Sequence, residues 1–289
     1  MRRSGHPITT ALFATLILLF TGGPVLLALY GSVVPDRVLL NPNLSIFEHG
    51  LSFETYRYVF TGELPASYLV EGANRSMISD AARQVPRSIW NSTRIALAAM
   101  ALNILLGAPA AYVFARHVFP GKRLSFMFII LSPLVPAAAL VTPIYMIMQS
   151  LGLIGSIWGI ILIHTAQALP FTVLITSSVF VSVPRELEEA AQTLGSTAIG
   201  GFIKVVLPLA LPGLAAAAIF TFVLSWNEVF AAVILTLRER TLPALVLTVL
   251  TQSPLPYRFA AAFFMLAPSL IVIFIIRRYL LGLWGRVIK

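Results

Sequence analysis

Cysteine is absent from the chain, which excludes a disulfide framework and any thiolate metal site. Charge is scarce: 11% of the 289 residues are Asp, Glu, Lys or Arg, less than half the share in an ordinary soluble domain, so the chain is expected in a bilayer. The four histidines, His6, His49, His117 and His164, show no ligand spacing, and no metal site is expected. No phosphate-binding loop is present. The segment "GSTAIGGF" (195–202) comes near one but lacks the Lys and Ser/Thr of G-x-x-x-x-G-K-[ST], so the chain is expected to bind neither ATP nor another cofactor itself. No Ser/His/Asp set or carboxylate pair sits at plausible spacing, which argues against an enzyme. The net charge of +9 is spread singly or in pairs at the ends of apolar runs, without the clustered basic face that nucleic acid requires.

Apolar residues are abundant, at 58%, and they fall in runs of the length needed to cross a bilayer, roughly 20 residues. Six spans are predicted, at Ile8 to Val34, Ile89 to Phe114, Leu124 to Ser150, Gly155 to Val181, Leu209 to Leu237 and Tyr257 to Leu281. The fold class is therefore an all-α polytopic membrane protein with six transmembrane helices. The prolines within the spans predict kinks rather than breaks, because neighbouring helices re-satisfy freed backbone groups. The N-terminal apolar stretch is too long for a signal peptide and lacks an A-x-A site, so it reads as a retained first helix. With the N-terminus cytoplasmic, Arg2, Arg3, Arg116, Lys122, Arg123, Arg185, Lys204, Arg277, Arg278, Arg286 and Lys289 face the cytoplasm, against Arg94, Arg238, Arg240 and Arg258 outside. Lys and Arg gather on the cytoplasmic side in that orientation, which places both termini there. The chain divides into an N-terminus with the first span (1–34), an extracytoplasmic loop (35–88) and a core of five spans (89–289). The outer loop is either a binding surface for an outside partner or an insertion packed on the helix ends.

A polar interruption lies between the fourth and fifth spans, at 184–208, and faces the cytoplasm. Pro184 suits the first turn of a helix, and Glu186, Glu188 and Glu189 sit where the helix dipole favours negative charge. Leu187, Ala190, Ala191 and Leu194 then fall on one face. Gly195 fits a glycine stop and Ser196 a cap for a second short helix, whose Ile199, Phe202, Ile203 and Val206 repeat the spacing before Pro208. Two such amphipathic helices suit either a groove in a partner protein or the lipid interface. The glutamates favour the protein, since interfacial helices carry Lys and Arg.

The run "EAAQTLG" (189–195), followed after nine residues by "VVLP" (205–208), resembles the E-A-A loop of ABC importer permeases. Glu189, Ala190, Ala191, Gly195, Leu207 and Pro208 match the pattern, and Val205 stands where isoleucine is usual. The segments "NSTRIALAAMALNILLGAPAAYVFARHVFPGKR" (91–123), "SWNEVF" (225–230) and "RRYLLGL" (277–283) resemble the second permease subunit of carbohydrate importers. Leu194 replaces the aspartate common in sugar permeases, which brings the loop closer to polyamine and iron permeases, and "WGRVIK" replaces the usual small-residue tail. The resemblance implies the type I importer permease fold and a coupling role for Glu186, Glu189, Ala190, Ala191, Gly195, Val205, Leu207 and Pro208. It also implies a second homologous permease subunit, two ATP-binding subunits that hold ATP and Mg, and an extracytoplasmic solute-binding protein. A sugar or oligosaccharide is the expected cargo; a polyamine importer, or a channel or secondary transporter without ATPase partners, is the alternative.

Glu228 is the one acidic residue within a predicted span. An intramembrane carboxylate is costly unless it faces a cavity or a partner. One reading has Trp226, Asn227 and Glu228 lining the solute pathway; the other pairs Glu228 with Arg258 or Arg238 as a packing contact. His164, Gln167 and Asn103 are expected to make interhelical hydrogen bonds.

Overall fold

The computed structural model describes residues 7–35, 83–236, 239–248 and 255–284, with parts of 38–63 and positions 250 and 253. Among these residues every regular element is helical. Contacts group the chain into two compact units: Met1–Ile89 with Leu245–Ala267, and Trp90–Ala244 with Pro268–Lys289. The sequence-based division at 34 and 88 follows membrane crossings, so it cuts the chain on a different principle.

In the first unit, α1 (Pro7–Val33) exposes Phe13, Leu18, Phe20 and Leu26, the outward apolar surface of a helix solvated by lipid. Its end is held to α2 (Glu54–Thr61) by a 2.7 Å hydrogen bond between Ser32 Oγ and Tyr56 OH. Gly31 packs against the Phe259 ring, where a Cβ would lie 2.2 Å from a ring carbon. Tyr58, fully buried, meets Tyr257 edge-on at 4.8 Å. Most of the 35–88 loop lies outside the described residues.

The second unit holds the membrane core. Helix α3 (Val85–Arg116) enters it at Trp90. A glycine turn at Gly121, φ +79°, opens α4 (Lys122–Leu131). The predicted third span is not one straight helix: α4 passes through a short 3-10 turn, Ser132–Leu134, into α5 (Ala137–Ser150), with a bend of 103°. Pro133 and Pro136 cause the break, because each lacks an amide donor and restricts the residue before it. Helix α6 (Ile157–Ser182) starts where Ser156 accepts from Trp158 N and stops before Pro184, with Val183 extended as a residue preceding proline tends to be.

After α6 come α7 (Arg185–Thr193), α8 (Ala198–Gly201), a π turn over Phe202–Val206, α9 (Leu207–Trp226) and α10 (Phe230–Leu235). Next are α11 (Leu242–Thr248) and α12 (Leu255–Trp284). The fifth span thus departs from its predicted single helix at Asn227–Val229. Helices α6 and α9 pack very closely: a Cβ at Gly213 would sit 2.3 Å from a Val179 methyl, so only glycine fits the crossing. One apolar core gathers Ile95, Ile160, Ile163 and Leu235; another, nearer the polar loop, gathers Ala111, Phe180, Val206 and Leu214. Among the described residues, five helices are long and apolar enough to cross a membrane, or six if the bent α4–α5 pair counts as one span.

Candidate functional site

Two features stand apart from lipid-facing packing: the polar loop at 184–208 and a cavity beside the break after α9. They are joined by continuous helix.

The loop begins with Pro184 at the helix N-cap. Its first helix ends with Gly195 at φ +88°, a left-handed conformation that L side chains resist. Gly195 N donates to Gln192 O at 2.9 Å and Ser196 N to Ala191 O at 3.0 Å, the paired bonds of a Schellman stop. The cap of the next helix is Thr197, whose Oγ1 accepts from Gly200 N at 3.0 Å. Ser196, the predicted cap, bonds Thr197 O instead. Nor does the second arm end at Pro208. The helix runs unbroken from Ala198 to Trp226, with Leu207 N bonded to Phe202 O across the π turn. Pro208 explains the widening, since it offers no N–H and its ring crowds the carbonyl one turn back.

The three glutamates divide between two faces. Glu186 and Glu189 are exposed, as are Leu187, Leu194 (89%) and Ile199 (72%). Glu188 turns inward and is 8% exposed. Its Oε1 lies 2.6 Å from Arg116 Nη2, and its Oε2 accepts from Tyr112 OH at 2.7 Å. In sequence Glu188 reads as one more dipole-facing charge. The available signal was the spacing of Tyr112 and Arg116, one turn apart at the end of α3. Val205 and Leu207 are half-buried beside the buried Val206.

At the other end of the rod, α9 stops at Trp226. The Glu228 carboxylate then caps α10, with Oε1 accepting from Ala231 N at 2.9 Å and Oε2 from Ala232 N at 3.2 Å. His164 Nε2 lies 3.1 Å from the same Oε2, and His164 Nδ1 lies 2.7 Å from Ser225 Oγ. With the proton on Nε2, the ring donates to Glu228 and accepts from the Ser225 hydroxyl. Of the predicted partners, Arg258 donates to Ser253 O, and Arg238 lies outside the described residues. The interhelical reading of His164 and Asn103 matches the geometry, Asn103 Nδ2 donating to Thr165 O at 3.0 Å.

Glu228, Asn227 and Gln167 line a cavity of 770 Å³ together with Phe171, Phe230 and the Pro133–Pro136 bend. Glu228 is the one charged side chain in its described wall. Trp226 lies elsewhere: it is 1% exposed, and its ring stacks on Phe222 at 5.9 Å.

The chain has relatives among known proteins. Residues 103–282 match the family described as "Binding-protein-dependent transport system inner membrane component". The trehalose transport system permease protein SugB of Mycobacterium tuberculosis is 33% identical over 81% of this chain and 77% of its own. The sulfoquinovosyl glycerol transport system permease protein SmoH of Agrobacterium fabrum is 32% identical over 79% of this chain and 73% of its own. In fold, the chain matches the crystal structure of a bacterial ABC transporter involved in alginate import, with a TM-score of 0.69 at 20% identity over 94% of this chain and 95% of that one. The chain therefore belongs to the family of ABC importer inner-membrane permeases. It is a multi-pass membrane transport subunit whose relatives include sugar permeases.

Proposed function

We propose that the chain is one permease subunit of an ATP-driven importer for a neutral carbohydrate, with both termini and the 184–208 loop in the cytoplasm. The observation that carries this is the rod. The 184–208 loop exposes Glu186, Leu187, Glu189 and Leu194 on its first arm and, past the Gly195 turn, Ile199 on a helix that runs unbroken from Ala198 to Trp226, two residues short of Glu228 in the cavity wall. The loop is the docking element for an ATPase subunit. Glu186 and Glu189 supply charge, Ala190 and Ala191 permit close seating, Gly195 makes the turn, and Val205, Leu207 and Pro208 form the junction with the span. ATP and Mg are held by two partner ATPase subunits. A second homologous permease completes the pathway, and an extracytoplasmic binding protein delivers the solute. Closure of the ATPase pair displaces the loop, and the rod carries that displacement to the broken helix beside the cavity, alternating its access.

The cavity chemistry supports a neutral polyhydroxylated solute. Amides from Asn227 and Gln167 offer both donors and acceptors, and Phe171 and Phe230 offer apolar faces for a sugar ring. A polyamine would need a carboxylate free to pair with it, whereas Glu228 already takes three donors. Anions are disfavoured by its charge. The test is uptake by the assembled complex in proteoliposomes against trehalose, a uronic acid disaccharide and spermidine. ATP-dependent uptake of trehalose alone is the expected result, and preference for spermidine overturns the carbohydrate assignment.

A further inference from the structure

We infer that Tyr112 and Arg116 form a clamp that binds the docking loop to α3, so that loop and helix move as one body and displacement enters the membrane through α3 as well as α9. The inference rests on the docking role of the loop proposed above.

Both arms of the loop touch the last turn of α3. On the first arm, Glu188 receives Arg116 at 2.6 Å and Tyr112 OH at 2.7 Å. Arg116 Nη2 also donates to Val183 O at 2.7 Å, at the entry to the loop. On the second arm, Phe202 of the π turn packs on the Tyr112 ring with centroids 4.5 Å apart, and Phe180 meets the same ring edge-on at 5.9 Å. The ion pair is nearly closed to solvent, with side-chain exposures of 7% for Arg116 and 10% for Glu188.

A buried ion pair is a poor device for stability alone, because desolvation offsets much of the attraction and apolar residues of similar size often do as well. It is a strong device for fixing position: removal of either partner strands the other charge in a site it cannot leave. Here it fixes the register of a short, otherwise exposed helix against a long one. Dipole complementation needs no such partner, and Glu186 and Glu189 supply it from the exposed face.

The absence of cysteine makes the test direct. Spin labels at Gln192→Cys, one turn beyond Glu188, and at Val118→Cys, just past α3 and 95% exposed, report the loop-to-α3 distance in the full importer complex. Measurements are made without nucleotide and after ADP–vanadate trapping, on the unsubstituted background and on Glu188→Gln. The clamp predicts the same narrow distance in both states for the unsubstituted background, and a shifted or broadened distance on trapping for Glu188→Gln. It also predicts that the variant keeps its ATPase subunits and loses about tenfold in solute moved per ATP, within the usual range of coupling between two sites. Restoration by the swap Glu188→Arg with Arg116→Glu supports the clamp further. If the unsubstituted loop moves away from α3 on trapping, or Glu188→Gln behaves identically in both states, the clamp is overturned. Should Glu188→Gln not assemble, Tyr112→Phe, which keeps the ion pair, is read by the same two outcomes. An unsubstituted chain that elutes without any ATPase overturns the docking role itself, and that result is recognisable before a label is attached.

Discussion

At the scale of single residues, Glu228 and Gly195 carry the most. Glu228 satisfies two backbone amides at the start of α10 and the ring of His164. Glu228→Ala removes all three acceptor contacts at once and leaves buried donors unpaired, a loss of about 1–3 kcal/mol. Glu228→Gln keeps one acceptor oxygen and is expected to cost less than half as much. Thermal unfolding of the assembled complex, followed by tryptophan fluorescence, ranks the two; equal melting of Glu228→Ala and the unsubstituted protein contradicts the capping role. Gly195 has open space around its Cα, so its constraint is the backbone angle rather than packing. Gly195→Asn, which tolerates the left-handed region, is expected to be nearly silent, whereas Gly195→Val incurs roughly 1–2 kcal/mol of backbone strain. Gly195→Asp folds but places a new charge on the docking face, and ATP hydrolysis is expected to continue without uptake. Normal uptake by Gly195→Asp contradicts that account.

At the scale of elements, the π turn and the α6–α9 crossing decide how the loop relates to the cavity. Inserting one alanine after Leu211, within the regular α-helix beyond the π turn, rotates the loop by about 100° relative to the rest of α9. The membrane core should then assemble with its second permease while ATPase subunits fall away, which quantitative co-elution measures. Gly213→Val drives a side chain into Val179 and should destabilise the crossing by about 1–3 kcal/mol, seen as a lower melting temperature with the loop still able to dock. Much of this layer was legible in sequence. Apolar length placed the helices, Pro184 and Gly195 bounded α7, and the loop's two arms followed from their spacing. The bend between α4 and α5 was not legible, because prolines in membrane helices produce mild kinks and sharp breaks alike, and neighbours decide which. The end of α9 at Trp226 was hidden for a similar reason: "SWNEVF" is apolar enough to continue a helix, and only the Glu228 side chain, reaching forward to Ala231 and Ala232, makes a fresh N-terminus there.

At the scale of the whole molecule, an unbroken helix from Ala198 to Trp226 connects the polar loop to a helix break beside a cavity. The loop's two amphipathic arms and its glycine stop were legible from sequence alone, since periodicity and a glycine turn are local properties. The partners of Glu188 and Glu228 were not readable, because Arg116 and His164 are brought to them by long-range packing of α3 and α6, and nothing in local spacing encodes that. Trp226 adjoins Asn227 and Glu228 in sequence, but a helix turns successive residues to different sides, and its ring faces Phe222 in the core. The central claim is that this loop couples the permease to an ATPase. Its most direct test is affinity purification of the importer from native membranes with the unsubstituted chain and with Glu189→Arg and Leu194→Glu on the exposed face. The account predicts an ATPase and a second permease with the unsubstituted chain, and the second permease alone with the variants; full ATPase retention by both variants would contradict it.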